Sequence, residues 1–134
     1  NYTENYYKDL LDANKNIIIS SPAISGQKVY ELINMLKEKQ VSGVQITIVT
    51  WTPDSYGFGD AAYWMQLHED MCKAGFYIKT VEESCERFAV IDQEVVWYGN
   101  INLLAKTKVD DSIMRVLSNE IAGELMEITF GDNS

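Results

Sequence analysis

A chain of 134 residues with 46% hydrophobic and 11% aromatic residues carries enough apolar material to bury a core, which excludes a disordered segment. Twenty acidic against eleven basic residues leave a formal charge of −9, so the domain as a whole repels phosphate backbones, and any nucleic-acid contact needs a local basic patch. No stretch reaches the roughly 18 apolar residues of a membrane span, and no charged-then-apolar leader opens the chain; a cytoplasmic protein without membrane contact is expected.

Helical spacing of Tyr6, Tyr7, Leu10, Leu11 and Ala13 predicts a helix over 2–13, broken by Asn14-Lys15-Asn16 before the buried strand Ile17-Ile18-Ile19. Ser20-Ser21-Pro22 ends that strand, and Val29, Leu32, Ile33 and Leu36 mark an amphipathic helix over 26–40. The β-branched run 44–49 predicts a second buried strand, parallel to the first through a βαβ connection. A loop over 51–59, with Pro53, Gly57 and Gly59, follows at the carboxyl end of that strand, where open α/β sheets place their sites. A third helix over 61–74 stops at Gly75, and a strand over 76–80 follows. Segments 87–91 and 94–98 flank a turn at Asp92-Gln93 and predict a β-hairpin. Ile113–Leu117 is a last strand, and Ser118 opens a terminal helix to about residue 127. With no repeat or linker, residues 1–134 are expected to form one unit. The start at Asn1 without a methionine fits an excised piece of a longer polypeptide.

Cys72 and Cys85 stand in neither a metal-ligand spacing nor a Cys-x-x-Cys pair, so no metal, cofactor or structural disulfide is expected. The chemistry-bearing segment begins at the second of them. Residues 85–92 read Cys-Glu-Arg-Phe-Ala-Val-Ile-Asp, and 93–102 continue Gln-Glu-Val-Val-Trp-Tyr-Gly-Asn-Ile-Asn. This spacing resembles the His-x-Lys-x4-Asp motif of the phospholipase D superfamily, followed by its Gly-Ser-x-Asn. Cys85, Arg87 and Asp92 occupy the first motif; Gly99, Asn100 and Asn102 fall on the second; and Asp110-Asp111 lies where related domains place an acidic residue. The resemblance covers about residues 5–128, and is closest to the domains attached to bacterial superfamily 1 helicases and related ATPases.

The resemblance implies an α/β half-domain with a mixed, largely parallel sheet flanked by helices. It also implies a site in which the residues at positions 85 and 87, two apart on a strand, project together toward a phosphate. An intact member uses histidine as nucleophile and lysine as charge clamp, and a second motif copy protonates the leaving oxygen. One copy is present here, so a homodimer or another half-domain would have to complete a site. Cys85 removes the imidazole, Arg87 keeps the cation with a better fork for phosphate, and Asn100 is bulkier than the hydroxyl residue it replaces. Binding is therefore favoured over catalysis: a phosphate- or nucleic-acid-binding or structural module of a helicase or another DNA-processing protein. An active phosphodiesterase and a protein-interaction domain are the alternatives.

Each candidate also has a plainer reading. Cys85 is a thiolate nucleophile or a small residue left where histidine was lost, with Glu82, Glu83 and Glu86 opposing the thiolate. Asp92 fits a turn role and a site role alike. Gly99 fits strand-end chemistry, and Asn100 with Asn102 is the better site pair. Asp111 follows as the acidic member. His68 reads as a surface or core-edge residue, and the aromatics Tyr56, Phe58, Tyr63 and Trp64 as core packing or a protein interface. Lys28, Lys37 and Lys39 punctuate a solvent face, whereas Lys106 and Lys108 would flank a phosphate site.

Overall fold

Successive side chains of a strand point to opposite faces, so the run Ile17-Ile18-Ile19 requires a strand covered on both sides. The computed structural model, which describes residues 2–53, 61–105 and 111–131, places that run in the middle of a six-stranded sheet. In chain order the elements are α1 (Thr3–Leu11), β1 (Asn16–Ser20), α2 (Gly26–Val41), β2 (Gln45–Trp51), α3 (Ala61–Lys73), β3 (Tyr77–Val81), β4 (Phe88–Ile91), β5 (Val95–Gly99), β6 (Ile113–Leu117) and α4 (Asn119–Met126). A π-helical turn, Glu127–Gly131, continues α4. Ser25 and Ser118 cap α2 and α4 by accepting from the backbone N–H groups of Lys28 and Ile121.

Strand order is β3-β2-β1-β4-β5-β6. The β1–β2 and β2–β3 pairings are parallel, while β1–β4, β4–β5 and β5–β6 are antiparallel. The sheet is mixed, as expected, but antiparallel pairings outnumber parallel ones. The reason is the connection from β4 to β5: its three residues are too few for the crossover that a parallel neighbour needs. Asp92 and Gln93 hold φ of 55° and 59°, and Glu94 N–H donates to the Ile91 carbonyl at 3.1 Å, as a hairpin turn of primed type requires.

Alternation sorts the core into two layers. Ile17, Ile19, Ile46, Ile48, Ala89, Ile91 and Trp97 pack against Tyr6 and Leu10 of α1, Val29, Leu32 and Leu36 of α2, and Leu67 and Met71 of α3. Ile18, Val49, Phe88, Val90 and Val96 face the other way, onto Ala122 and Leu125 of α4. Among the described residues one helix covers the second layer where three cover the first, and Tyr98 and Met114 on that second face are 42% and 63% exposed.

Several polar groups tie this frame together. Asp9 of α1 accepts from Trp97 Nε1 at 2.8 Å and from Arg115 Nε and Nη2 at 2.6 and 3.1 Å, which locks α1 across β5 and β6. Lys39 is no idle surface lysine, because its Nζ donates to the Ala13 carbonyl at 2.9 Å, past the end of α1. Tyr7 bonds Glu31, and Tyr30 donates to Asp70 at 2.5 Å, linking α1 to α2 and α2 to α3. Both cysteines are free. No described helix is long and apolar enough to cross a membrane.

Candidate functional site

Parallel strands β1 and β2 run one way from the sheet's centre while β4 begins its far half, so the carboxyl end of β1 is a topological switch point where loops diverge and leave a crevice. Register places Ser20 opposite Phe88 and Tyr98 opposite both Phe88 and Met114. The end of β1, the start of β4, the end of β5 and the start of β6 therefore share one rim. Cys85, Arg87, Asn100, Asn102 and Asp111 all lie on it; Asp92 does not.

The loops there are stitched together. Ser21 Oγ donates to the Ala23 carbonyl at 2.6 Å and accepts from Leu104 N–H at 3.1 Å, and Ser25 N–H donates to the Leu104 carbonyl at 2.7 Å. Asn102 sits between Ile101 and Leu103, whose side chains are core, so its own side chain is fixed by its neighbours' burial. Its Oδ1 accepts from Arg87 Nε at 3.3 Å and from Ala23 N–H at 3.4 Å. Arg87 is exposed, with one face of its guanidinium steadied and the rest open to an anion. This bond joins a position of the first motif directly to one of the second.

Cys85 goes elsewhere. Residues 84–87 precede β4 and lie outside any strand, so the strand alternation that would send 85 and 87 the same way does not hold. The half-buried thiol packs against the α4-side core layer, 3.6 Å from Ser20 Oγ. Burial pushes the Cys85 thiol up from its ordinary value; the Ser20 hydroxyl and the Arg87 charge pull it down, and Glu86 adds to the rise. The net effect keeps the sulfur protonated at neutral pH. The cavity beside it is about 130 Å³, lined by Ser20, Val49, Val81, Ser84, Glu86 and residues Ile128 and Thr129 of the π turn. That is well short of the roughly 300 Å³ at which ligand pockets begin.

Asn100 faces Ser112. It donates its N–H to the Ser112 carbonyl at 3.1 Å and accepts Ser112 N–H on Oδ1 at 2.7 Å, closing the loop between β5 and β6. Gly99 beside it is demanded by space: a Cβ there would meet the Ser112 carbonyl oxygen at 2.2 Å and Ile113 Cα at 2.6 Å. Asp111 is half-buried and acts on Tyr2, whose phenol is raised first by burial and also by the Asp111 charge.

Asp92 stands at the opposite end of β4, about 16 Å from Arg87 along an extended chain. Its two carboxylate oxygens accept from Asn14 N–H at 3.1 and 3.0 Å, and Oδ1 also takes Lys15 N–H at 2.7 Å and Asn16 N–H at 3.1 Å. The structure gives it a backbone-holding position at the entry to β1. A cleft of about 570 Å³ opens beside it, lined by Lys15, Gln93, Glu94, Asn119, Gly123 and Met126. That cleft is far from the motif rim, and the carboxylate facing it is already engaged.

Sequence reasoning passed over Ser20, whose hydroxyl donates to the Glu86 carbonyl at 2.6 Å and organises the 84–87 loop. A hydroxyl ending a run of isoleucines at a strand's carboxyl end was the available signal. It also passed over Asp9, 106 residues from Arg115, where no local pattern exists. His68 lies at the core edge as expected, its Nε2 buried and without a partner among the described residues. The Tyr63 and Trp64 rings pack 5.1 Å apart, with Trp64 against the core. Tyr56, Gly57, Phe58, Gly59, Lys106, Lys108 and Asp110 lie outside the described residues.

Comparison with known proteins bears on the fold. The family model described as "Cardiolipin synthase, PLD-like domain" matches residues 6–129. Among solved structures, the chain is similar to Nuc, a phospholipase D family member from Salmonella typhimurium (13% identity, TM-score 0.66, covering 94% of this chain and 82% of that one). It is similar to NucT from Helicobacter pylori (10%, 0.61, 94% and 83%). It also resembles part of TrmBL2, an archaeal chromatin protein described as showing a novel mode of DNA binding (12%, 0.63, 96% and 47%). At these identities the likeness concerns the fold. No curated protein sequence matches the chain.

Proposed function

The chain belongs to the phospholipase D-like domain family, and we propose that it is a non-catalytic member, a phosphate- or nucleic-acid-binding or structural module of a helicase or another DNA-processing protein. One observation carries the reading: Arg87 is steadied by Asn102 and open to an anion, while position 85 offers a half-buried, protonated thiol in place of an imidazole. Charge recognition survives that substitution, and nucleophilic attack with proton shuttling does not. The narrow cavity at Cys85 points the same way, because a phosphodiester with its flanking sugars would not reach the sulfur. The fold shared with a chromatin protein described as binding DNA adds support for the nucleic-acid branch. Attachment to a motor domain rests on the sequence resemblance alone.

The test is titration with single- and double-stranded DNA and RNA at two salt concentrations, with Arg87→Ala alongside. Salt-sensitive binding is expected, and Arg87→Ala should flatten the slope of log K against log salt by about one. Absence of binding at low salt would remove the phosphate role and leave the protein-interaction alternative. A second reading, an active phosphodiesterase completed by a homodimer or a second half-domain, draws on the Ser20 hydroxyl and the Arg87 charge, both of which favour the Cys85 thiolate. Its homodimer form requires hydrolysis of a phosphodiester that Cys85→Ala abolishes, and a strictly monomeric, inert chain sinks that form.

A further inference from the structure

Strand order leaves β6 at one edge of the sheet and β3 at the other. The two edges differ. β3 carries Lys79 at its centre, the kind of residue that discourages strand addition, and that ammonium lies 5.8 Å from the Phe130 ring. β6 reads Ile-Met-Arg-Val-Leu, with no lysine, proline or bulge, and its one charge, Arg115, is taken by Asp9.

The ladder shows which backbone groups the β6 edge offers. Asn100 N–H bonds the Ser112 carbonyl and Ser118 N–H bonds the Glu94 carbonyl, bracketing a register in which Gly99 faces Ile113 and Val95 faces Leu117. Hydrogen-bonded pairs alternate along an antiparallel ladder, so residues 112, 114, 116 and 118 direct their backbone groups toward β5. Ile113, Arg115 and Leu117 therefore direct theirs outward, and no described strand pairs with them. Apolar surface flanks this open ladder on both faces: Met114 beside its cross-strand neighbour Tyr98, and Leu117, 65% exposed, on the α1 side.

The surrounding charge is acidic. Glu86 reaches the Tyr98 hydroxyl at 3.3 Å, Asp111 precedes the strand, Glu94 lies opposite Ser118, and Glu120 opens α4. Lys8, which lines the neighbouring cleft with Asp9 and Arg115, is paired with Asp12 at 3.4 Å. We propose that β6 is a docking edge for an extended, basic segment of a partner polypeptide, which adds to the sheet as a seventh strand. Main-chain bonds to Ile113, Arg115 and Leu117 supply affinity, and alternating apolar and cationic side chains match Met114, Tyr98 and the carboxylates. A second copy of this chain, at −9, would bring two acidic rims together, and a phosphate backbone laid along β6 would meet these carboxylates rather than Arg87. This role is separate from the phosphate reading of Arg87.

The experiment uses the full 134-residue chain and a capped, fluorescein-labelled octapeptide of alternating valine and lysine, with a twin N-methylated at the residues that would face β6. The plain peptide should bind at least tenfold more tightly than the twin. Binding should slow hydrogen exchange at the amides of Ile113, Arg115 and Leu117, those of Met114 and Val116 being protected beforehand. Leu117→Pro, which loses an outward N–H and no internal bond, should abolish binding without lowering the melting temperature by more than a few degrees. Equal binding of both peptides, binding of neither, or unchanged exchange at the three amides overturns the proposal. Protection of the same amides on raising protein concentration alone would assign the edge to a second copy, and protection by a duplex oligonucleotide alone would assign it to nucleic acid; either outcome refutes it.

Discussion

Replacing Asp92 should damage stability and leave anion binding by the folded protein intact. The side chain holds the N–H groups of three consecutive residues, Asn14, Lys15 and Asn16, at 2.7 to 3.1 Å, just where the chain enters β1. Hydrogen bonds to a charged acceptor are worth about 1.5–3 kcal/mol each. Simple addition overstates the loss, because Asn14 and Lys15 are exposed and water would satisfy their N–H groups; only the Asn16 bond is partly buried. A total of about 2–3 kcal/mol follows, roughly one charge-assisted bond in full and two at a discount. Backbone adds to this: φ is 55°, a region that costs an ordinary residue about 1–2 kcal/mol and that aspartate, asparagine and glycine tolerate.

Asp92→Ala should therefore cost about 3–5 kcal/mol, Asp92→Gly about 2–3, and Asp92→Asn about 1, since asparagine keeps both the backbone preference and the Oδ1 acceptor. Urea unfolding checks the order, read as midpoints at unchanged m-value. Against a total stability of about 5–15 kcal/mol the alanine variant is measurably weakened. An alanine variant within about 0.5 kcal/mol of the parent that has lost anion binding would refute the reasoning and return Asp92 to the site.

Asp9→Ala should cost about 1–2 kcal/mol, because it leaves the partly buried Trp97 indole N–H unpaired while water takes over the exposed Arg115 guanidinium, and a red-shifted tryptophan emission with a lowered melting temperature would report it. Thiol labelling at pH 7.5 should be biphasic, with exposed Cys72 fast and half-buried Cys85 slow, and the slow phase should vanish in Cys85→Ser. His68 supplies a pH dependence: burial lowers its pKa below the unfolded value near 6.5, so below that pH the unfolded chain binds the extra proton. Its contribution is complete above pH 6.5 and is lost as pH falls through the lowered value. The urea midpoint should thus drop between pH 7.5 and 5.5 by more in the parent than in His68→Leu.

Local pattern carried most of the elements. β6 runs from Ile113 to Leu117 as its composition implied, α2 and α3 end two residues before Gly43 and Gly75, and the Asp92-Gln93 turn follows from an aspartate that tolerates positive φ. The hairpin expected over 87–98 returns the chain to the rim it left, which is why Arg87 and Asn102 share that rim. Periodicity reads only neighbours within a turn or a pleat, however. It does not decide that β4 enters antiparallel to β1, which tips the sheet's balance, nor that the irregular backbone at 84–87 turns Cys85 toward α4 while Arg87 finds Asn102. Asp92 was equally eligible for a turn and a site until its partners, 76 to 78 residues away, appeared. Which face a side chain takes, and whether a carboxylate is left over for a ligand or consumed by backbone, depends on long-range packing, and only the tertiary structure holds that information.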